Sequence, residues 1–400
     1  MHPERQFSSA QAHNLWREAV REAGLVGEAA TLYADTTPYT AVCTLYYPDG
    51  KRIATASGKG RHAEQAKLSA AYEALEHACS FVARHHVGMD CLILSLKDFR
   101  ERGLQSLENF YQPDFFEQID PDFPITWLAF RSIHGEQLAY LPWALFNPVY
   151  LESDDNPDQL LSENMEFLST GSGIAIGACF EEAFMHALSE VVERDATSTY
   201  LKQTFLLDQA PNSVQFETLP KHLQSLYLEL AELSARPVLI TRLPVRIAGF
   251  YAYQVRLLNT DYLCGYGCSI ESSYALERAL LECKEAYDLT RAGTIAADYQ
   301  PILHHEILLK CAKNDLSQFA KTNAFQAEAF VKNEFSSDFS VRYQRLLELC
   351  REHSQAIYVH RFRQFKNGVA IVIVFVPGMS YFFAVQKGYP FDLTRNGTWL

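Results

Sequence analysis

The chain has 400 residues, 48% of them hydrophobic and 21% charged. That balance suits one large globular domain or two ordinary ones, and it excludes a disordered chain, a collagen-like repeat and a coiled-coil rod. Asp and Glu number 48 against 35 Lys and Arg, a net charge of −13. Such a surface repels phosphate backbones and argues against nucleic-acid binding.

Met1 to Gln6 has no apolar stretch behind it, so no secretory signal is expected. The first 25 residues hold an amphipathic helix with Leu15, Trp16, Ala19 and Val20 on one side. Residues 39–47 read as a strand, Pro48-Asp49-Gly50 as a turn and residues 52–56 as a short return strand. Ser57-Gly58-Lys59-Gly60 then precedes an Ala-rich helix over 64–82. Strands are expected at 91–95 and 125–132, and a polar loop at 152–157. A glycine-rich stretch, 171–177, leads into a helix over 180–201. Residues 237–245 and 249–258 look like paired strands, and Gly265-Tyr266-Gly267 leads into a helix over 273–290.

Residues 302–350 read as helical, 356–362 and 369–376 as strands, and 381–385 as a further strand. The run 369–376 is the most apolar of the chain, but it is far short of the roughly 20 residues a membrane helix needs, so no membrane partner is expected. The mixture predicts an α/β (mixed α+β) fold. Nine scattered cysteines without a signal read as reduced thiols of a cytoplasmic protein. Cys264 and Cys268 lack the further ligands of a zinc set.

One pattern occurs three times. A glycine-rich turn opens a helix that later carries E-x-x-E: Gly60 before Glu73 and Glu76, Gly177 before Glu190 and Glu193, Gly267 before Glu282 and Glu285. The spacing to the first glutamate is 13, 13 and 15 residues. Carboxylates at i,i+3 share a helix face and repel each other. Glu182 lies eight residues before Glu190, near the same face. Solvated helix charge is the ordinary reading of any one pair. Three pairs that converge would instead need a cation. Oxygen ligands without His or Cys point to magnesium, which usually accompanies a phosphate substrate. Arg194, Arg278 and Lys59 stand beside these pairs, and guanidinium groups hold phosphate oxygens well. Arg278 and Glu282 also have the i,i+4 spacing of a helix salt bridge. Walker A, GxGxxG and G-x-S-x-G signatures are absent. His62, His77 and His186 read as packing or polar surface, so no catalytic base is singled out.

Four stretches together resemble the YcaO family: Ser57-Gly58-Lys59-Gly60 with residues 69–76, residues 181–196 ending in Glu190-Val191-Val192-Glu193-Arg194-Asp195-Ala196, residues 275–282, and Val376-Pro377-Gly378-Met379. The resemblance spans roughly residues 55–380 and implies a YcaO-like fold around an ATP and Mg2+ site. Residues 1–55 would join the same domain, 56–385 would be the ATP-binding catalytic domain, and 386–400 a tail without the PxPxP of many azoline-forming members. Glu73, Glu76, Glu182, Glu190, Glu193 and Glu282 would serve magnesium and nucleotide. Arg194 and Arg278 would hold phosphates, with Lys59 and Ser172 also at the nucleotide.

Family members phosphorylate a peptide amide oxygen while a nucleophile attacks the amide carbon. A Cys, Ser or Thr side chain gives an azoline, sulfide a thioamide, an amine an amidine. The resemblance implies azoline formation on a ribosomal precursor peptide first, and thioamidation second. A separate E1-like leader-binding or sulfur-delivery partner would be needed, and a homodimer is the default assembly. Many members carry Asn where Ser172 and Ala178 stand here. Ala178 motivates a third reading, an accessory protein, for example to a ribosomal-protein methylthiotransferase.

Overall fold

The computed structural model describes residues 4–80, 91–106, 120–135, 137–146, 170–260, 263–294, 299–322, 324–333, 336–353 and 356–391. The expected loop at 152–157 and most of the tail lie outside the described residues. Helix α1 (Ser9–Glu22) opens with a capping box between Ser8 and Gln11, and buries Trp16, Ala19 and Val20. Strands β1 (Val26–Thr31), β2 (Tyr39–Tyr46) and β3 (Arg52–Gly60) form an antiparallel sheet in that order, and α2 (Ala63–Ser80) follows. The same plan recurs later. Strands β9 (Val238–Leu243), β10 (Tyr251–Leu257) and β11 (Cys264–Ser269) form a second antiparallel sheet, followed by a helix over Ser272–Arg291.

Between these units lie β4 (Cys91–Ser95), α3 (Leu96–Glu101), β5 (Pro124–Ser132), β6 (Leu138–Pro142) and β7 (Ile174–Gly177). Next come α4 (Phe180–Leu201), β8 (Asn212–Val214) and α5 (Lys221–Ser234); the helix Ser272–Arg291 is α6. The remaining elements are α7 (Glu306–Lys313), α8 (Ser317–Thr322), β12 (Gln326–Glu328), α9 (Phe339–Glu352), β13 (Tyr358–Gln364) and β14 (Ala370–Phe375). A six-stranded sheet runs β4-β5-β13-β14-β7, with β6 on β5. Its strand β14 is buried on both faces: Ile371, Ile373 and Phe375 join one core cluster, Val372 and Val374 another. That explains its unbroken apolar run.

Three expectations are corrected. Two of the glycine stretches are not turns: Gly58-Lys59-Gly60 ends β3 and Gly265-Tyr266-Gly267 sits inside β11; in the third, Ser172-Gly173 does turn, but Gly177 ends β7. The glycines are needed because each helix lies directly on its strand. A Cβ on Gly58 would stand 2.0 Å from the Ala70 amide nitrogen, one on Gly265 2.1 Å from that of Cys283, and one on Gly177 2.4 Å from that of Ala183. The run 381–385 is no strand but part of a 3-10 turn, Phe382–Lys387. The expected helical region 302–350 also contains the short strand β12, which pairs with β8.

Each of the three long helices lies between its own unit and a strand of a neighbouring one. Helix α2 packs on β3 and also touches β7; α4 packs on β7 and β14 and also touches β11; α6 packs on β11 and also touches β3. The three strand–helix units therefore close into a ring, each helix wedged against its own strand and a neighbour's. The E-x-x-E pairs ride on these helices, so the ring turns them toward one centre.

Candidate functional site

A cleft of about 1180 Å³ occupies that centre. Nine of the ten residues expected at a site line it: Lys59, Glu73, Glu76, Glu182, Glu190, Glu193, Arg194, Arg278 and Glu282. Ser172 does not. It precedes β7, is buried, and its N–H donates to Thr170 Oγ1 at 3.3 Å. His62 and His186, read from the sequence as packing or polar surface, also line the cleft.

The charges pair across units. Lys59 reaches from β3 to α6, with Nζ 2.7 Å from Glu282 Oε2 and 3.1 Å from Glu285 Oε2. The alternation of a strand explains this: Gly58 and Gly60 face α2, so the side chain between them faces α6. Glu282 is thus engaged by Lys59, and by the Tyr266 N–H at 3.2 Å, and forms no i,i+4 ion pair with Arg278. Arg278 Nη1 lies 3.4 Å from His186 Nδ1. Arg194 stands 3.6 Å from Glu190 and 3.8 Å from Glu193, and its guanidinium covers the Phe383 ring at 5.2 Å. Arg61 pairs with Glu277 at 2.9 Å.

Glu73 and Glu76 on α2 form no ion pair within 4 Å with a described residue. Burial pushes the Glu73 carboxyl up to about 8, helped by Glu285, Glu282 and Glu190 and opposed by Lys59. Burial and the neighbouring Glu73 and Glu190 hold Glu76 well above the carboxylate range. Burial takes Glu193 up to about 7 against the pull of Arg194. Glu282 runs the other way: burial would raise it, but Lys59, Arg194 and the Tyr266 N–H together lower it. One end of the cleft is internally neutralised by Lys59, and the other holds carboxyls whose proton affinity burial raises.

Glu182 is the most occupied of the six glutamates. It sits in the first turn of α4, where a helix favours negative charge. Its Oε1 accepts the Gln6 N–H at 2.7 Å; its Oε2 accepts the Ala178 N–H at 3.3 Å and Arg5 Nη1 at 3.2 Å. Arg5 was invisible to sequence reasoning, because no local pattern ties a residue ahead of α1 to one 177 positions later. Glu285 was visible as half of the third pair, but nothing in the spacing distinguished its role from that of Glu282.

The Asp of Glu193-Arg194-Asp195 has a different task. Asp195 is buried, accepts Arg246 and takes the Ser380 N–H at 2.8 Å, while Arg246 also donates to Gly378 O at 2.6 Å. It fastens the Pro377-Gly378 turn to α4, linking two of the four stretches that carry the resemblance.

Among the described residues no three His, Cys, Asp or Glu side chains form a ready-made metal cage. The donor set nevertheless suits a hard cation that arrives with a ligand of its own: carboxyl oxygens, no thiolate or imidazole cluster, and guanidinium groups opposite.

The family model described as YcaO cyclodehydratase, ATP- and Mg2+-binding, matches residues 57–380. An uncharacterized protein of Methanothermobacter thermautotrophicus is 26% identical over 271 residues, 64% of this chain and 66% of that protein. The chain thus matches just under two thirds of that relative's length. The fold resembles YcaO from Methanopyrus kandleri bound with AMPPCP and Mg2+, with TM-score 0.68 at 18% identity over 98% of this chain and 97% of that one. It also resembles a heterocyclase in complex with substrate and cofactor, with TM-score 0.67 at 16% identity over 94% and 52%. The E. coli microcin synthetase McbBCD complex gives TM-score 0.56 at 13% identity over 87% of each chain. With the family model covering most of its length, the chain belongs to the YcaO family.

Proposed function

We propose that this protein is an ATP- and Mg2+-dependent enzyme that activates backbone amides of a ribosomally made peptide, most simply to cyclodehydrate Cys, Ser or Thr into azolines. The observation that carries it is the convergence of Glu73, Glu76, Glu190, Glu193 and Glu282 with Arg194 and Arg278 in one cleft at the centre of the ring. Magnesium bound there with the nucleotide would neutralise phosphate charge and favour phosphoryl transfer. Glu73 and Glu76 on α2 and Glu190 and Glu193 on α4 would hold it, and the raised proton affinity of these four supports that role. Arg194 and Arg278 would grip phosphate oxygens, and Lys59 would keep Glu282 ionised and in place. The substrate side chain would lose its proton and add to the amide carbon, the amide oxygen would take the γ-phosphoryl group with ADP leaving, and phosphate would then depart as the amide N–H proton is lost and the C=N bond of the azoline forms.

The partner complex of the microcin synthetase supports a separate protein that delivers the peptide. Among the described residues no helix is long and apolar enough to cross a membrane. The test is a mass change on a candidate peptide incubated with protein, partner, ATP and magnesium. Loss of water supports the proposal, and exchange of oxygen for sulfur reassigns it to thioamidation. An unchanged peptide with authentic substrate and partner overturns both. Ala178, buried beside Glu182 and without a polar side chain, favours one second reading: an accessory protein that binds nucleotide without turnover.

A further inference from the structure

We propose that Glu4 is a positioning residue that anchors the segment ahead of α1 as a built wall of the cleft and delivers Arg5 to it. Three consecutive residues of this segment touch two units of the ring. Glu4 is buried, 6% exposed, and its carboxyl accepts a hydrogen bond from Ser269 Oγ at the end of β11. Arg5 and the Gln6 N–H both go to Glu182 on α4, and Cys179 Sγ donates to Gln6 Oε1 at 3.1 Å. Directly after them α1 is tied to α2, the third unit, by Trp16 Nε1 to Ala71 O at 2.7 Å and Tyr72 OH to Ala12 O at 2.9 Å. One short stretch therefore fastens all three units around the cleft, and Arg5, Phe7 and Ser8 line the cleft itself.

Glu4 is the anchor, and Arg5 is what it places. The Arg5 side chain is 35% exposed, so solvent screens its pair with Glu182. Glu4 is sealed from water, and a buried carboxyl without its partner is costly. Glu4 also adds negative potential at Arg278, a cleft guanidinium without an ion pair among the described residues. Truncating Glu4 should free the segment, release the part-exposed Cys179 thiol from its hydrogen bond to Gln6, and unfasten Arg5.

The test labels Cys179 with a thiol reagent, read by peptide-resolved mass spectrometry, in wild type, Glu4→Ala and Glu4→Gln without nucleotide. Glu4→Ala should speed labelling by about tenfold, the size expected when a hydrogen bond to a buried charged group is lost and a segment opens locally. Glu4→Gln, which keeps an acceptor for Ser269, should stay near wild type. If Glu4→Ala does not fold, Ser269→Ala carries the same expectation. Wild-type labelling rates in the Ala variants would overturn the proposal. The loss of nucleotide affinity also expected in Glu4→Ala rests on the ATP site proposed above. Should wild type itself fail to bind Mg-ATP, that site is wrong, while the labelling still decides the anchor.

Discussion

The unit β1-β2-β3-α2 and the unit β9-β10-β11-α6 share one architecture and divide the chemistry. Each is a three-stranded antiparallel sheet whose last strand carries Gly-x-Gly under a helix at backbone contact. Yet Gly58 lies under Ala66 and Ala70, whereas Gly265 lies under Ala279 and Cys283, farther along its helix. The two E-x-x-E pairs therefore do not occupy equivalent places. Glu282 sits over its own strand and takes the Tyr266 N–H, while Glu73 and Glu76 project beyond the glycine contact. The residue between the glycines differs as well. Lys59 crosses to the carboxylates of the other unit; Tyr266 is buried and bonds Gln254 and Gln386. The backbone plan is repeated, and side chains at its variable positions make one unit the donor of a cation and the other its receiver.

The shared part should be the harder to break. Gly58→Ala or Gly265→Ala puts a methyl into backbone, which cannot move aside cheaply, so each should cost about 3 kcal/mol or more in denaturant unfolding. Their effects should match in size, since 2.0 Å and 2.1 Å are the same clash. A tolerated substitution at one glycine alone would dissolve the equivalence.

The divided part should respond to magnesium. Lys59→Met leaves Glu282 and Glu285 facing each other and should cost about 1–2 kcal/mol, less than a fully buried pair because the lysine is partly exposed. Added magnesium should restore part of that loss. Tyr266→Phe removes only the hydroxyl bonds to Gln254, Gln386 and Cys264 and should cost about 1 kcal/mol with no magnesium rescue. Identical magnesium responses in the two variants would contradict the assignment of Lys59 to the cleft.

The carboxyls of the cleft should also make stability depend on pH. Glu73 and Glu193 are raised from an ordinary 4.5 to about 8 and about 7. Between those limits the folded protein holds protons that the unfolded chain releases, so these groups make stability fall as pH rises from 4.5 toward 8. Magnesium should flatten that slope and release protons, which calorimetry in buffers of different ionisation enthalpy measures directly. A magnesium-independent slope would remove these carboxyls from the cation site.

The sequence made the three helices, the glutamate pairs and the arginines legible because helix periodicity and i,i+3 spacing are local. Eight of the nine expected residues that line the cleft ride on those helices, and Lys59 comes from β3. It misled about the glycines: Gly-x-Gly reads as a turn until a helix is seen lying on it, and that contact is tertiary. Lys59 with Glu282, and Arg5 with Glu182, join residues 223 and 177 positions apart, and no spacing rule reaches so far. Ser172 was placed by resemblance alone, with no periodicity behind it, and it lies outside the cleft lining.

The most direct test of the central claim is calorimetric titration of Mg-ATP into wild type beside Glu190→Gln. Glu190 lies on α4, faces the cleft, and is paired only loosely with Arg194 at 3.6 Å, so its loss should spare the fold. Binding that requires magnesium in wild type and disappears in Glu190→Gln is the predicted result. Equal binding by the two proteins, or magnesium-independent binding by wild type, would contradict the account.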